Sequence, residues 1–301
     1  VDAPVALEGE KIQSEMVNGN MKQIAIYGKG GIGKSTIATN LSAALSEMGH
    51  TVMQVGCDPK RDSTRNIMGG RLIPAVLETY RDQLRVGKDE YAISLDNIVF
   101  KSPGGIYCVE AGGPEPGIGC AGRGVLTALQ ILKDLRAFET YKIDVAIYDV
   151  LGDVVCGGFA MPIREGFARE IYLVCSGGFM SLYAANNIAR AVQRLAKRGD
   201  TGLAGIICNS NGTEALEHAV IPEFARRLGD SFVQFVPRSP VIQACEFEGR
   251  AVVEHSPDSK EAGIFRELAR QVMQNDSRVI PTPINDLSEL EQMYRKHMAK
   301  K

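Results

Sequence analysis

The segment Gly28-Lys29-Gly30-Gly31-Ile32-Gly33-Lys34-Ser35-Thr36 constrains this chain more than any other. It fits G-x-x-x-x-G-K-[ST], follows directly on the apolar run Gln23 to Tyr27, and opens a helical pattern, which is the setting that gives the spacing its meaning. Glycines let the backbone wrap phosphate oxygens with N–H groups turned inward, and the helix behind them directs its positive end at the anion. Gly28, Gly30, Gly31, Ile32 and Gly33 then line a nucleotide's phosphates, Lys34 neutralises the β and γ groups, Ser35 ligates Mg²⁺, and Thr36 completes the set. Lys29 is additional to the ordinary pattern. It adds positive charge where the γ-phosphate becomes more negative during cleavage, and it can act across a dimer interface as an arginine finger does.

Such a loop needs a sheet behind it, and the chain supplies one. Strand-length apolar runs recur at Gln23 to Tyr27, Thr51 to Val55, Ile106 to Val109, Asp144 to Tyr148, Glu170 to Val174, Leu203 to Ile207 and Phe232 to Val236. Amphipathic helical stretches fall between several of them, notably Lys34 to Met48, Gly124 to Ala137, Met180 to Arg198, Thr213 to Leu228 and Ser259 to Gln274. This alternation predicts an α/β fold, a doubly wound and mostly parallel sheet covered on both faces, of the P-loop NTPase type with the deviant, additional-lysine Walker A loop. No repeat and no Pro/Gly/Ser-rich linker divides the 301 residues, which suit one large domain at 21–278. Residues 1–20 read as a mobile polar arm, and 279–301 as a tail with a short amphipathic helix. In that tail Asp286 and Glu289 suit a capping box, and Leu287, Leu290, Met293, Tyr294 and Met298 approximate one face.

Thirty-four basic against thirty-six acidic residues give a net charge of −2, so no uniformly basic surface for duplex nucleic acid is expected. No window approaches the ~20 apolar residues of a bilayer span, and the first residues lack the basic start and apolar run of a secretory signal. Seven cysteines, an odd number with no C-x-x-C pair, suggest the reducing cytoplasm with thiols available to a metal.

Two strand-length runs end in acidic segments, Gly56-Cys57-Asp58-Pro59-Lys60-Arg61-Asp62-Ser63-Thr64 and Asp149-Val150-Leu151-Gly152-Asp153. Ligands of open α/β sheets lie beyond the carboxyl ends of the strands, so both segments should face the phosphate loop. Asp149 is the expected carboxylate holding Mg²⁺ through water, Asp58 and Asp153 are the candidates for orienting or deprotonating the attacking water, and Asp62 lies in the same nucleotide-facing segment. Cys120 and Cys156 stand in Gly-rich loops, where a buried apolar role suits them poorly and a ligand role is open. Iron–sulfur clusters usually take four thiolates, so a cluster on these two would need a two-fold axis with both cysteines from each subunit. Cys57, Cys108, Cys175 and Cys208, in or at the ends of strands, and Cys245, in a helical stretch, read as core residues.

From Lys22 to about Pro283 the chain resembles the nitrogenase iron protein family and its nitrogenase-like relatives, dimeric ATPases that carry one [4Fe-4S] cluster between subunits and pass electrons to a second protein. The resemblance rests on GKGGIGKST at Gly28, GCDPKRDST at Gly56, GGPEPGIGCAGRG at Gly112, DVLGDVVCGGFAMPIRE at Asp149 and SLYAANNI at Ser181. It implies cluster ligands at Cys120 and Cys156, a signature lysine at Lys29, and conformational switches starting at Asp58 and Asp149. It implies also an adenine contact at Asn209, with Val236-Pro237-Arg238 on the same nucleotide wall, and a regulatory or docking arginine at Arg123. The implied cofactors are MgATP and one [4Fe-4S] cluster per homodimer. The implied partners are a catalytic nitrogenase or nitrogenase-like component and an upstream ferredoxin or flavodoxin. Asn66 to Pro74 departs from the nitrogen-fixing pattern, and Glu261 replaces a glutamine near the adenine. Both lean toward a nitrogenase-like system such as methylthio-alkane reductase, with systems that reduce tetrapyrroles or nickel-tetrapyrrole precursors also open, while SLYAANNI and Arg123 argue against the protochlorophyllide branch. A partition or positioning ATPase is the alternative, since it shares the additional-lysine loop, but it gives Cys120 and Cys156 no role.

Overall fold

Strands that are apolar along their whole length have no polar face to offer water, so the sheet they build must be covered on both sides. The computed structural model, which describes residues 21–85, 93–113, 121–152, 161–164, 166–196, 200–230 and 232–298, has this arrangement. The strands are β1 (Lys22–Gly28), β2 (Val52–Gly56), β3 (Phe100–Lys101), β4 (Tyr107–Glu110), β5 (Val145–Asp149), β6 (Glu170–Cys175), β7 (Gly202–Asn209) and β8 (Val233–Val236). They lie in the order β3-β4-β2-β5-β1-β6-β7-β8, parallel throughout except where β3 meets β4 at the edge. The seven expected strands are present with ends shifted by at most two residues, and β3, only two residues long, joins them as an edge strand too short to show a strand's alternation.

The helices are α1 (Lys34–Glu47), α2 (Val76–Arg85), α3 (Ala121–Asp134), α4 (Ala137–Thr140), α5 (Met161–Arg164), α6 (Phe179–Ala196), α7 (Glu214–Arg227), α8 (Pro240–Phe247), α9 (Val252–His255), α10 (Lys260–Gln274) and α11 (Leu287–Met298). Helices α1, α8, α9 and α10 cover one face, where Ile37, Leu41, Ile242, Val252, Phe265 and Leu268 pack on Ile24, Ile26, Val145 and Ile147. The opposite face carries α2, α3, α6, α7 and α11 over Tyr27, Val55, Val109 and Tyr148. The turn into α8 is written in the sequence: the Ser239 hydroxyl accepts from the Val241 N–H, and Pro240 stands at the first helical position. Helix α3 starts at Ala121 rather than Gly124, so Arg123 is an exposed residue of its first turn and not part of a loop.

Helix α11 forms at the expected place with a different cap. Asp286 Oδ1 accepts from the Ser288 N–H at 2.9 Å, but Glu289 pairs with Arg227 of α7 instead of reaching back. Its buried side chains are Leu290 and Met293, while Leu287 and Met298 are 48% and 54% exposed, so the apolar stripe is shorter than the pattern suggested. The segment before α11 is tied to the core twice. Val279 and Leu203 exchange backbone hydrogen bonds at 2.8 Å each, and the buried Asn186 of α6 donates to the Ile284 carbonyl at 2.8 Å and accepts from its N–H at 2.9 Å.

Arg190 also donates to the Ile284 carbonyl, so removing Asn186 leaves chiefly the Ile284 N–H without its acceptor. Asn186→Ala should lower the unfolding free energy in urea by about 1–3 kcal/mol and quicken proteolysis near residue 284. An unchanged urea midpoint would show that the amide does not hold this segment.

Candidate functional site

The carboxyl ends of the parallel strands bring the polar residues to one edge. Gly56 of β2 pairs with Asp149 of β5 on one side and with Glu110 of β4 on the other, and Ile26 of β1 pairs with Asp149 in turn. Asn209 and Val236 close the same edge as the paired last residues of β7 and β8.

The phosphate loop leaves β1 at Gly28, which packs on β6 so closely that a Cβ would lie 2.4 Å from the Val174 carbonyl oxygen. Gly31 and Gly33 have φ of 75° and 94°, a conformation glycine adopts freely. Gly33 is the N-cap of α1 and supplies no side-chain bond, and the N–H groups and dipole of a helix N-terminus favour an anion there. Lys34 is buried, and its Nζ donates back to the Lys29 carbonyl at 3.4 Å, while Lys29, Gly30 and Gly31 are exposed at the loop's crest. The cradle suits a polyphosphate.

Asp149 is buried, and its carboxyl is held above the usual carboxylate range by loss of solvent, against hydrogen bonds from Ser35 and Ser63 and the charge of Lys34. A hydroxyl and a carboxylate at the loop's base are hard oxygen donors that fit Mg²⁺. Asp58 is half-buried and accepts from the Lys60 N–H at 3.0 Å, and Asp62 is exposed. Gln54 of β2 holds the end of this segment, donating to the Ser63 carbonyl at 2.9 Å and to its hydroxyl at 3.0 Å. Thr36 donates to Glu246 of α8.

Asn209 donates from Nδ2 to the Ile32 carbonyl at 2.9 Å, and a Cβ on Gly33 would lie 2.2 Å from that nitrogen. Its amide therefore braces the phosphate loop. Pro237 and Arg238 follow β8, with Arg238 exposed and donating to the Asn211 carbonyl at 3.4 Å. Glu261 accepts from the Ser239 hydroxyl at 2.7 Å. Beyond Asp149 the chain returns to the phosphate loop, where a Cβ on Gly152 would lie 2.4 Å from the Gly30 nitrogen. Asp153, Cys120 and Cys156 lie outside the described residues. The other five cysteines are free and buried, and burial pushes each thiol up, away from the thiolate that a metal needs.

Glu110 was not among the expected site residues. It is fully buried, and its Oε1 accepts from both the N–H and the hydroxyl of Thr64 at 2.7 Å. An acidic residue at the carboxyl end of a strand, the signal that singles out Asp149, singles out Glu110 equally.

Residues 22–299 match the family model of 4Fe-4S iron sulfur cluster binding proteins, NifH/frxC family. The nitrogenase iron protein of Methanospirillum hungatei is 50% identical over 280 residues, 92% of this chain and 96% of that protein. Nitrogenase iron protein 2 of Methanothermococcus thermolithotrophicus is 46% identical over 273 residues, 89% and 93% of the two chains. Among solved structures, the cell division ATPase MinD of Pyrococcus furiosus superposes with a TM-score of 0.64 at 19% identity, over 84% of this chain and 99% of that one. A ParA family ATPase from Chlorobium tepidum gives 0.59 at 19%, over 83% and 99%. At that identity the likeness is one of fold.

Burial raises the Glu110 carboxyl from its ordinary 4.5 to about 7 despite the bonds from Thr64, with the charges of Asp149 and Asp62 acting in the same direction as burial. The folded chain thus keeps a proton that the unfolded chain has lost. Its stabilising contribution is complete below about 4.5 and disappears as pH rises through about 7. In Glu110→Gln, urea unfolding followed from pH 5 to 8 should lose less stability with rising pH, a difference of up to about 3 kcal/mol. Equal slopes in the two proteins would exclude titration of Glu110 in that window.

Proposed function

Because the chain belongs to the NifH/frxC family of 4Fe-4S iron–sulfur cluster binding proteins, we propose that it is the ATP-gated electron-donating component of a nitrogenase or nitrogenase-like system. Its cofactors are MgATP and a [4Fe-4S] cluster, and in the working form two chains share one cluster through Cys120 and Cys156 of each. The burial of the five other cysteines carries this reading, since thiols sealed in the core are not available to a cluster and Cys120 and Cys156 are the two that remain. The cluster supplies one-electron transfer when bound.

The chain's own residues supply the gate. Lys34 and the N–H groups at the start of α1 hold the phosphates, and Ser35 with Asp149 holds the metal side of the nucleotide. Lys29, exposed at the crest, meets the γ-phosphate bound across the dimer axis, and Asp58 and Asp153 orient the attacking water and take its proton. Asn209, Pro237 and Arg238 border the base. Gly152 touches Gly30, so a loop that tightens on a γ-phosphate shifts the segment leading to Cys156. Arg123, exposed in the first turn of α3 and three residues past Cys120, belongs to the surface that meets the catalytic partner.

The departures at Asn66 to Pro74 and at Glu261 favour a nitrogenase-like catalytic component, with methylthio-alkane reductase as the example, and a ferredoxin or flavodoxin recharges the cluster. The partition-ATPase reading shares the fold at 19% identity, against 50% for a nitrogenase iron protein, and leaves the two cysteines without a task.

Anaerobically purified protein should be brown and hold about four iron atoms per dimer, and Cys120→Ser or Cys156→Ser should abolish the cluster. About four per monomer would refute a shared cluster, and none at all would refute the electron-donor reading. Lys34→Ala should remove MgATP binding, whereas Lys29→Ala should keep appreciable binding and lose ATP-dependent electron transfer. Equal loss of nucleotide affinity in both variants, measured by calorimetry, would overturn that division of roles.

A further inference from the structure

Glu110 takes no part in the nucleotide chemistry above, yet it stands where two functional segments meet. It ends β4, and Ala111-Gly112-Gly113 after it form a stem that leads in sequence toward Cys120. Its Oε1 takes both hydrogen bonds of Thr64, the last residue of the nucleotide-facing segment Asp58–Thr64. The space for its carboxyl exists because residue 56 is glycine, for a Cβ there would lie 2.0 Å from Oε2. Oε2 is buried and has no hydrogen-bond partner among the described residues. The stem also lies directly on the segment: a Cβ on Gly113 would come within 2.6 Å of Pro59 Cβ.

We infer that Glu110 is the positioning residue that joins the segment Asp58–Thr64 to the stem 111–113 that leads toward Cys120, so that a nucleotide-driven displacement of the first is delivered to the second. This deepens the electron-donor reading and rests on it for what Cys120 binds. Separating Thr64 from Glu110 would strand a buried N–H, a buried hydroxyl and a buried carboxyl together, so the two residues move as a unit. A second tie leaves the segment at Arg61, whose guanidinium pairs with Glu78 of α2, but both side chains are a third or more exposed and a screened pair of that kind transmits little. The backbone bond from the Ala111 N–H to the Gly56 carbonyl, 2.8 Å, lies before the segment and cannot report its far end.

The test is hydrogen–deuterium exchange of the full chain with and without MgATP, with iron content measured on the same samples. In the wild type, MgATP should change exchange by about tenfold in 57–68 and in 108–113 together. Glu110→Ala should confine the response to 57–68, leaving under about twofold in 108–113. Glu110→Gln should restore both, because an amide oxygen replaces Oε1 as acceptor. Thr64→Val, which removes the hydroxyl alone, should weaken the response at 108–113 and decides the matter if Glu110→Ala does not fold. A wild-type response at 108–113 in Glu110→Ala, or in Thr64→Val where that variant stands in, overturns the inference, as does a wild type whose 108–113 segment ignores MgATP. Coupled exchange in an iron-free wild type would support the inference while sinking the electron-donor reading. Uncoupled exchange in an iron-loaded wild type would do the reverse.

Discussion

Gly56 has no side chain, and the gap it leaves at the end of β2 allows two carboxyl groups to stand at one level of the sheet. Asp149 and Glu110 flank it, each paired to it through the backbone. Any larger residue would collide with Glu110 and with Ser63. The phosphate loop, the Asp58–Thr64 segment and the stem toward Cys120 all converge on this level, so their relative positions follow from strand register rather than from loop conformation. Register in a sheet buried on both faces is strongly determined, since a slip of one residue would exchange its two packed surfaces.

Two acids this close must be managed without bulk water, and the site does so by dividing its donors. Asp149 takes the hydroxyls of Ser35 and Ser63 and the field of Lys34, whereas Glu110 takes both donors of Thr64 and feels the like charges of Asp149 and Asp62. Burial outweighs the hydrogen bonds at both. The same desolvation that keeps the five core thiols protonated thus makes Glu110 a carboxyl rather than a carboxylate over much of the acidic range.

The parallel strands were legible because buried strands read as continuous apolar runs, and the phosphate loop because its spacing is a geometric requirement of wrapping an anion. Asp149 was legible as an acid closing such a run. Glu110 closes another, yet its role depends on Thr64, forty-six residues earlier, and no local pattern encodes that pairing. Helix α2 combines a short apolar stripe with many charges, and β3 is too short to show any periodicity. The start of α3 is hidden because Gly122 and Gly124 have the composition of a loop, although a helix held by tertiary packing tolerates them. Arg227 captured Glu289 from the expected capping box, a competition between distant elements that the tail's own sequence does not reveal.

The N-cap of α1 has a further meaning. Nearly every residue of that helix from Ile37 to Leu45 is sealed in the core, yet its first turn begins on a glycine in a left-handed conformation with no capping side chain. An anion at this helix N-terminus would therefore add stability that the glycine does not itself supply. The phosphates of a nucleotide would serve as the helix cap, so that occupancy of the site and stability of the folded chain become linked quantities.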